Sequence, residues 1–203
     1  MDAFFALAGF VILMTGTPGP ANMVLMLSGV QQGFIKSLSF WLGTISGFVA
    51  LNLVMGIGLS ILLDEYAPLK IALKFLSAGY MIFLSLKALQ ASFSGQRNSN
   101  QGAVSDKQAN DAKGLFRFQS GLIVHPLNPK AWVMLSLAYA SYLTAFGNPI
   151  LVSVLAFAIL GGLCNLFWVL CGHLLGRTFQ QSAIMVRSMI FINISVVIWA
   201  LFQ

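Results

Sequence analysis

The chain has 203 residues, of which 58% are hydrophobic and 8% charged, with a formal net charge of +6 and a mean hydropathy of +0.87. A soluble domain carries roughly 25% charged residues, so this composition excludes an ordinary soluble enzyme and predicts an all-α polytopic membrane protein. The positive balance does not imply nucleic acid as a partner, because the basic residues are distributed among connections between apolar stretches.

At about 20 apolar residues per membrane-spanning helix, six segments are legible in chain order: 3–30, 38–63, 68–90, 118–146, 149–175 and 183–202. They leave no length for a soluble domain, so residues 1–203 are read as one membrane domain whose main expected partner is the lipid bilayer. The first segment follows Asp2, has no basic stretch before it, and continues apolar past a Pro/Gly interruption. It is expected to be a retained helix, not a cleaved signal.

That first segment is interrupted by Gly16-Thr17-Pro18-Gly19-Pro20-Ala21-Asn22. The second carries Asn52 and the close glycine pair Gly43/Gly47, and the third ends near Lys87. Residues 91–117 are rich in Ser, Asn, Gln and Gly with mixed charge, a composition that cannot bury enough apolar surface to order itself, and are expected to form a linker. The fourth segment is interrupted by His125-Pro126-Leu127-Asn128-Pro129-Lys130. The fifth holds Asn165, Cys164 and Cys171, and a second glycine pair, Gly172/Gly176. Glycines at this spacing let helix backbones approach closely, either within one subunit or across a homodimer seam. The two cysteines are expected to be packed thiols.

The linker separates three segments from three. An odd number per half places the second half upside down relative to the first, which makes repeat one (1–90) and repeat two (118–203) an inverted pair. Basic residues orient the whole. With the N-terminus outside, one side collects Lys36, Lys87, Arg97, Lys107, Lys113, Arg117, Arg177 and Arg187, and the other only Lys70 and Lys74. Cytoplasmic connections accumulate Lys and Arg, so both termini are expected outside and the linker in the cytoplasm, although without the linker the bias narrows to three against two.

The paired interruptions point to function. Each proline removes an N–H and clashes with the carbonyl four residues earlier, which frees the carbonyls of Met14, Gly16, Leu122 and His125. The residue before each proline is pushed toward extended backbone. Such backbone is tolerated at membrane depth only where it is buried in protein or lines a polar cavity. Pro20 suits the first position of a new half-helix, whose N-terminus favours an anion, while the carbonyls ending the preceding half-helix favour an ammonium. A zwitterion such as an amino acid fits both.

Lys130 is the most informative side chain, because an intramembrane lysine is a functional candidate by default, with snorkelling to the interface as its alternative. Asn22 and Asn128 offer donors and acceptors to a solute or could cap the new half-helices. His125, whose ring titrates near neutrality, and Lys130 are candidates for proton coupling; His173 is expected at the interface. Two histidines without a membrane carboxylate make no metal site, and no cofactor is implied. No phosphate-binding loop or catalytic elbow is present, so no enzyme is expected.

These residues, with Ser28-Gly29, Gly33-Phe34, Gly79-Tyr80, Lys87-Ala88, Phe118 and Gly121, resemble the LysE/RhtB family of bacterial amino-acid exporters over essentially the whole chain. The stretch Asn165-Leu166-Phe167-Trp168 with Gly172-His173 is similar to the subgroup that exports cysteine and small neutral amino acids. The resemblance implies proton-driven efflux of an amino acid across the bacterial cytoplasmic membrane, with Pro18, Gly19, Pro20, Asn22, Asn128, Pro129 and Lys130 at the substrate site. Family members commonly have Asn directly after Pro-Gly-Pro; here Ala21 intervenes, a shift of about 100° around a helix. Two rival readings are an exporter of metal or other small cations and a non-transporting membrane assembly subunit.

Overall fold

The computed structural model describes residues 2–59 and 115–178 continuously, with runs of one to three residues at 68–86 and 187–198. Every regular element among the described residues is helical. The expected third and sixth segments lie mostly outside the described residues, and those of their residues that are described are helical.

The first segment is two helices, α1 (Asp2–Gly16) and α2 (Pro20–Gln32), bent by 60°. The break has the expected cause. Pro20 opens α2 at its first turn and Gly19 before it is extended, at φ −168° and ψ 170°. The loop expected at 31–37 is absent, a correction to the sequence reading. Gly33 alone separates α2 from α3 (Phe34–Val54), which places Lys36 in the first turn of a helix. One residue suffices because Gly33 adopts φ 79°, a left-handed backbone open to glycine without steric penalty. Its N–H closes α2 on the Gly29 carbonyl, and its own carbonyl accepts from the Ser37 amide and hydroxyl.

α3 runs on into a π-helical segment, Met55–Leu59. Arg117, extended, precedes α4 (Phe118–Leu122). Turns at 123–128 lead to α5 (Pro129–Leu137), extended by a π segment at Ala138–Tyr142 and a 3-10 turn at Leu143–Ala145. The fifth segment begins at Pro149 as expected. It comprises α6 (Pro149–Ala156), a π segment (Phe157–Gly161) and α7 (Gly162–Thr178). Among the described residues two stretches, Phe34–Gly58 and Pro149–Gly176, are long and apolar enough to cross a membrane, and the bent α1–α2 pair makes a third. Large apolar side chains cover their outer faces, including Phe5, Leu13, Ile35, Ile159 and Phe167, as suits helices solvated by lipid.

Two glycine seams organise the packing. A methyl at Gly172 would overlap the carbonyl of Met26, and one at Gly29 the carbonyl of Val169; Gly176 lies against Val30. In the second seam, Gly43 meets Phe118, Gly47 meets Leu122, and Gly121 meets Phe40 and Thr44. The glycine pairs therefore serve packing inside one chain. The contacts advance together along each pair, so α2 runs parallel to α7 and α4 parallel to α3. The seams also correspond in register. One sequence shift carries Met26, Gly29 and Val30 onto Phe118, Gly121 and Leu122; another carries Phe40, Gly43, Thr44 and Gly47 onto Val169, Gly172, His173 and Gly176.

The fifth segment runs antiparallel to α3, as successive contacts show: Trp41 Nε1 donates to the Gly162 carbonyl at 2.9 Å, Phe48 meets Phe157 with ring centroids 5.1 Å apart, and Ser153 Oγ donates to Asn52 Oδ1 at 3.0 Å. It follows that α2 and α4 are antiparallel. The first break precedes its seam glycine and the second follows its own, so the opposite chain directions bring both breaks to the same side of the seams. The packing thus separates into two cores. One surrounds the seams with Val24, Leu25, Phe40, Val124 and Val169; it also takes in Leu115 and Phe116, which the sequence reading assigned to the linker. The other gathers Leu7, Val11, Phe48, Met55, Leu135 and Phe157. The breaks lie between them.

Candidate functional site

Lys130, at the start of α5, is positioned by its own break. Pro129 takes the first turn of the helix, and Asn128, extended at φ −118° and ψ 109°, caps it by accepting from the Lys130 amide at 3.2 Å. The lysine then crosses to the other break, where its ammonium donates to the Thr17 carbonyl at 3.1 Å and to Thr17 Oγ1 at 2.8 Å. Gly19 leaves room for it, since a methyl there would stand 3.2 Å from Lys130 Cδ. The side chain is half-buried and reaches across to Thr17.

Asn22 holds the first break from within. Its amide nitrogen donates to the carbonyls of Thr15 at 2.7 Å and Thr17 at 2.8 Å. The residue is buried, so the extra Ala21 does not turn it away from the break. Gly19, not Asn22, is the N-cap of α2. These bonds correct part of the expectation that carbonyls at Met14–Gly16 stand free for an ammonium: those of Met14 and Thr15 do not. The Thr15 and Thr17 carbonyls are occupied by Asn22 and Lys130, and the Met14 carbonyl accepts from Thr17 Oγ1 at 3.2 Å. Local bonds close the second break similarly: the His125 carbonyl accepts from the Asn128 amide, and the Pro126 carbonyl from Trp132 Nε1 at 2.8 Å.

A cavity opens at the meeting of the breaks, lined by Met14, Thr15, Gly19, Ala21, Asn22, His125, Asn128, Lys130, Ala131, Met134 and Asn165. Of the residues expected at the site, Gly19, Asn22, Asn128 and Lys130 line it. Pro20 is buried at the head of α2, Pro18 is exposed, and Pro129 is half-buried at the head of α5; the three prolines shape the breaks without lining the cavity. A second narrow space adjoins the first. It shares Thr15, His125 and Asn165, and is otherwise walled by Ile45, Phe48, Phe157, Ala158, Gly161 and Gly162.

The shared wall contains the least satisfied group in the region. His125 is buried, and its Nε2 lies 3.3 Å from the amide nitrogen of Asn165. An amide nitrogen can only donate, so Nε2 accepts, and the proton of the neutral ring sits on Nδ1. Nδ1 is buried without a partner. A group left so carries a penalty of about 1–3 kcal/mol. Phe48 packs edge-on against the ring, with centroids 5.0 Å apart.

The sequence profile of LysE type translocators matches residues 12–202. The chain belongs to the LysE type translocator family. It is 28% identical over 140 residues to an uncharacterized membrane protein of Pseudomonas aeruginosa, an alignment that covers 69% of this chain and 60% of that protein. No solved structure gives a significant match.

Other assignments also resolve within this LysE translocator. Cys164 and Cys171 are free thiols, half-buried on α7. His173 lies beside Gly33 and Phe34, where the chain turns from α2 into α3. Among the described residues, no three His, Cys, Asp or Glu side chains stand together. Two site residues were missed by the sequence reading: Thr17, which it places in the break only as the residue before Pro18, and Asn165, which it names without a place at the breaks. A polar side chain inside an apolar helix was the available signal for Asn165, but nothing in the sequence says that the fifth segment passes the breaks. Asn52 belongs to a separate cluster, where its Oδ1 accepts from Tyr139 Oη at 2.8 Å as well as from Ser153.

Proposed function

We propose that this LysE translocator is a six-span secondary transporter of the bacterial cytoplasmic membrane that exports an amino acid or a small derivative by proton-coupled antiport. Its halves, 1–90 and 118–203, form an inverted repeat joined by the cytoplasmic linker 91–117, with both termini outside. The matching register of the two glycine seams supports the repeat. The family supports translocation of a small solute.

The observation that carries the reading is the bond between Lys130 and Thr17, which ties one broken span to the other. The lysine ammonium occupies two oxygens suited to a substrate's ammonium. An amino acid would exchange partners: its carboxylate draws Lys130 away, and its own ammonium takes the carbonyl and hydroxyl of Thr17. The direct clamp between the spans becomes one bridged by substrate, so occupancy is coupled to their separation. The coupling proton passes through His125, Lys130 or the substrate amine. This mechanism replaces the Met14–Gly16 carbonyls with Thr17 and leaves Asn128 as the cap that aims Lys130.

The test loads vesicles containing the purified protein with labelled amino acids and follows their exit with and without a pH gradient. The reading expects at least one amino acid to leave faster than from protein-free vesicles, and faster still with the gradient. Equal rates for every amino acid would contradict it.

A further inference from the structure

We propose that Phe48 and Phe157 form a gate between the cavity and the end of the fold away from the glycine seams, and that the buried knot of Asn52, Tyr139 and Ser153 is the latch that holds this gate closed. The proposal rests on the transporter reading and adds to it the place where the path is barred. Three observations converge on it.

The first is position. Phe48 packs on His125 in the cavity wall, with ring centroids 5.0 Å apart, and on Phe157 with centroids 5.1 Å apart. Both phenylalanines are buried, and both wall the narrow space that adjoins the cavity. Asn52 lies four residues beyond Phe48 on α3, and Ser153 four residues before Phe157 on the antiparallel fifth segment. Each spacing is about one helical turn, taken in the same direction. The knot therefore sits one turn past the aromatic contact, in the direction away from Gly43.

The second is what the knot joins. Asn52 Oδ1 accepts from Tyr139 Oη at 2.8 Å and from Ser153 Oγ at 3.0 Å, so one buried side chain ties α3 to α6 and to the extension of α5. The same chains wall the cavity and its neighbour: Lys130 and Met134 from α5, Phe48 from α3, and Phe157 directly after α6. α5 begins at the Lys130 clamp and leads into the segment that carries Tyr139. A shift of α5 when Lys130 leaves Thr17 is thus delivered to the latch by a single helix. The latch can be undone, because Asn52 Nδ2 is buried without a partner, and a network with an unpaired member is weaker than one that is fully satisfied.

The third is the backbone. Each chain that meets at the knot departs from α-helix beside it, over Met55–Leu59 after Asn52, over Ala138–Tyr142 around Tyr139, and over Phe157–Gly161 after Ser153. Such π-helical turns are places where helices bend and recur at functional sites. Phe157 opens one of them, so a change of bend there carries its ring away from Phe48. Helices that bend at a common level and are fastened by side-chain hydrogen bonds can swing apart while the backbone-packed seams stay together.

The experiment measures efflux of labelled amino acids from vesicles containing the full-length protein with Asn52→Cys and Ser153→Cys, in a background of Cys164→Ser and Cys171→Ser. A short bifunctional methanethiosulfonate bridges the two introduced thiols; bridging is read by mass and reversed with dithiothreitol. Efflux is expected to fall about tenfold on bridging, relative to the unbridged protein, and to return on reduction, since a gate that cannot open stops turnover. Methyl methanethiosulfonate, which caps both thiols without joining them, should leave most of the efflux. Phe157→Ala keeps the latch and removes half of the gate, so exit without a pH gradient should rise about fivefold over wild type; this variant decides the matter alone if the cysteine variant fails to fold. Full efflux with the thiols bridged, an equal loss on capping, or a folded Phe157→Ala protein with wild-type exit would overturn the gate and leave the transporter reading intact. Absence of efflux of every amino acid from the unaltered protein would overturn both.

Discussion

The two packing regions of this translocator are held together by different means. Around Gly29, Gly43, Gly47, Gly121, Gly172 and Gly176, helix backbones touch, and a single added methyl at most of these positions would overlap a main-chain carbonyl. On the other side of the breaks an apolar cluster around Leu7, Val11, Phe48 and Leu135 is joined by side-chain hydrogen bonds from Tyr139 and Ser153 to Asn52, and the breaks themselves are held by Lys130 to Thr17 and by Asn22. Lipid offers no hydrophobic driving force between helices, so backbone approach is what secures the seams. Dispersion at such contacts is lost steeply with small separations. Hydrogen bonds can instead be exchanged for others with a solute or water. The π segments at Met55–Leu59, Ala138–Tyr142 and Phe157–Gly161 all lie on the hydrogen-bonded side, and such irregular turns often mark functional sites. The difference marks the seams as the tighter region and the other side as the one whose contacts can be exchanged.

The largest effect is expected from breaking a seam. Gly172→Leu or Gly43→Leu should abolish folding, because the obstacle is backbone and cannot step aside; the matching register predicts similar losses for the two, read as folded protein recovered from membranes. A robust Gly172→Leu protein would show that the seam is not the tighter region. Next, Asn22→Ala leaves the Thr15 carbonyl without its partner and removes one of two from Thr17. A loss of about 1–3 kcal/mol in thermal or denaturant stability is expected, with transport reduced at least tenfold; normal transport would remove Asn22 from the hinge. Gly19→Ala is gentler. Its extended backbone accepts alanine, and the methyl meets only the flexible Lys130 stem, so a few-fold change in half-saturating concentration is expected with unchanged stability. Smallest is Tyr139→Phe, which deletes one hydrogen bond to Asn52 and should lower stability by about 0.5–1.5 kcal/mol. Its effect on transport rate should exceed its effect on affinity if that cluster takes part in opening.

Much of this arrangement was legible before any coordinates. Proline chemistry fixes both breaks: Gly16 ends one helix, Pro20 and Pro129 open the next ones, and the residues before them are extended. Lys130 stood out as a charge within an apolar segment. What remained hidden depends on neighbours. Helical periodicity does not say which segment lies beside which, so Asn165 could not be placed at the breaks. Gly33 was unreadable as a one-residue turn because a glycine in a Gln-Gln-Gly-Phe stretch is also compatible with an ordinary loop. The occupied carbonyls of Thr15 and Thr17 were missed for a related reason: counting the hydrogen bonds that prolines delete does not reveal which side chains replace them. The π segments leave no mark in composition at all.

The account rests on the clamp between Lys130 and Thr17 being the place where substrate is exchanged. Efflux from vesicles containing equal amounts of folded wild-type, Lys130→Ala and Lys130→Arg protein tests it most directly. The account predicts that Lys130→Ala loses export to the level of protein-free vesicles while its abundance and melting remain near wild type, and that Lys130→Arg, which keeps the charge, retains a measurable part. Export by Lys130→Ala at the wild-type rate would contradict it.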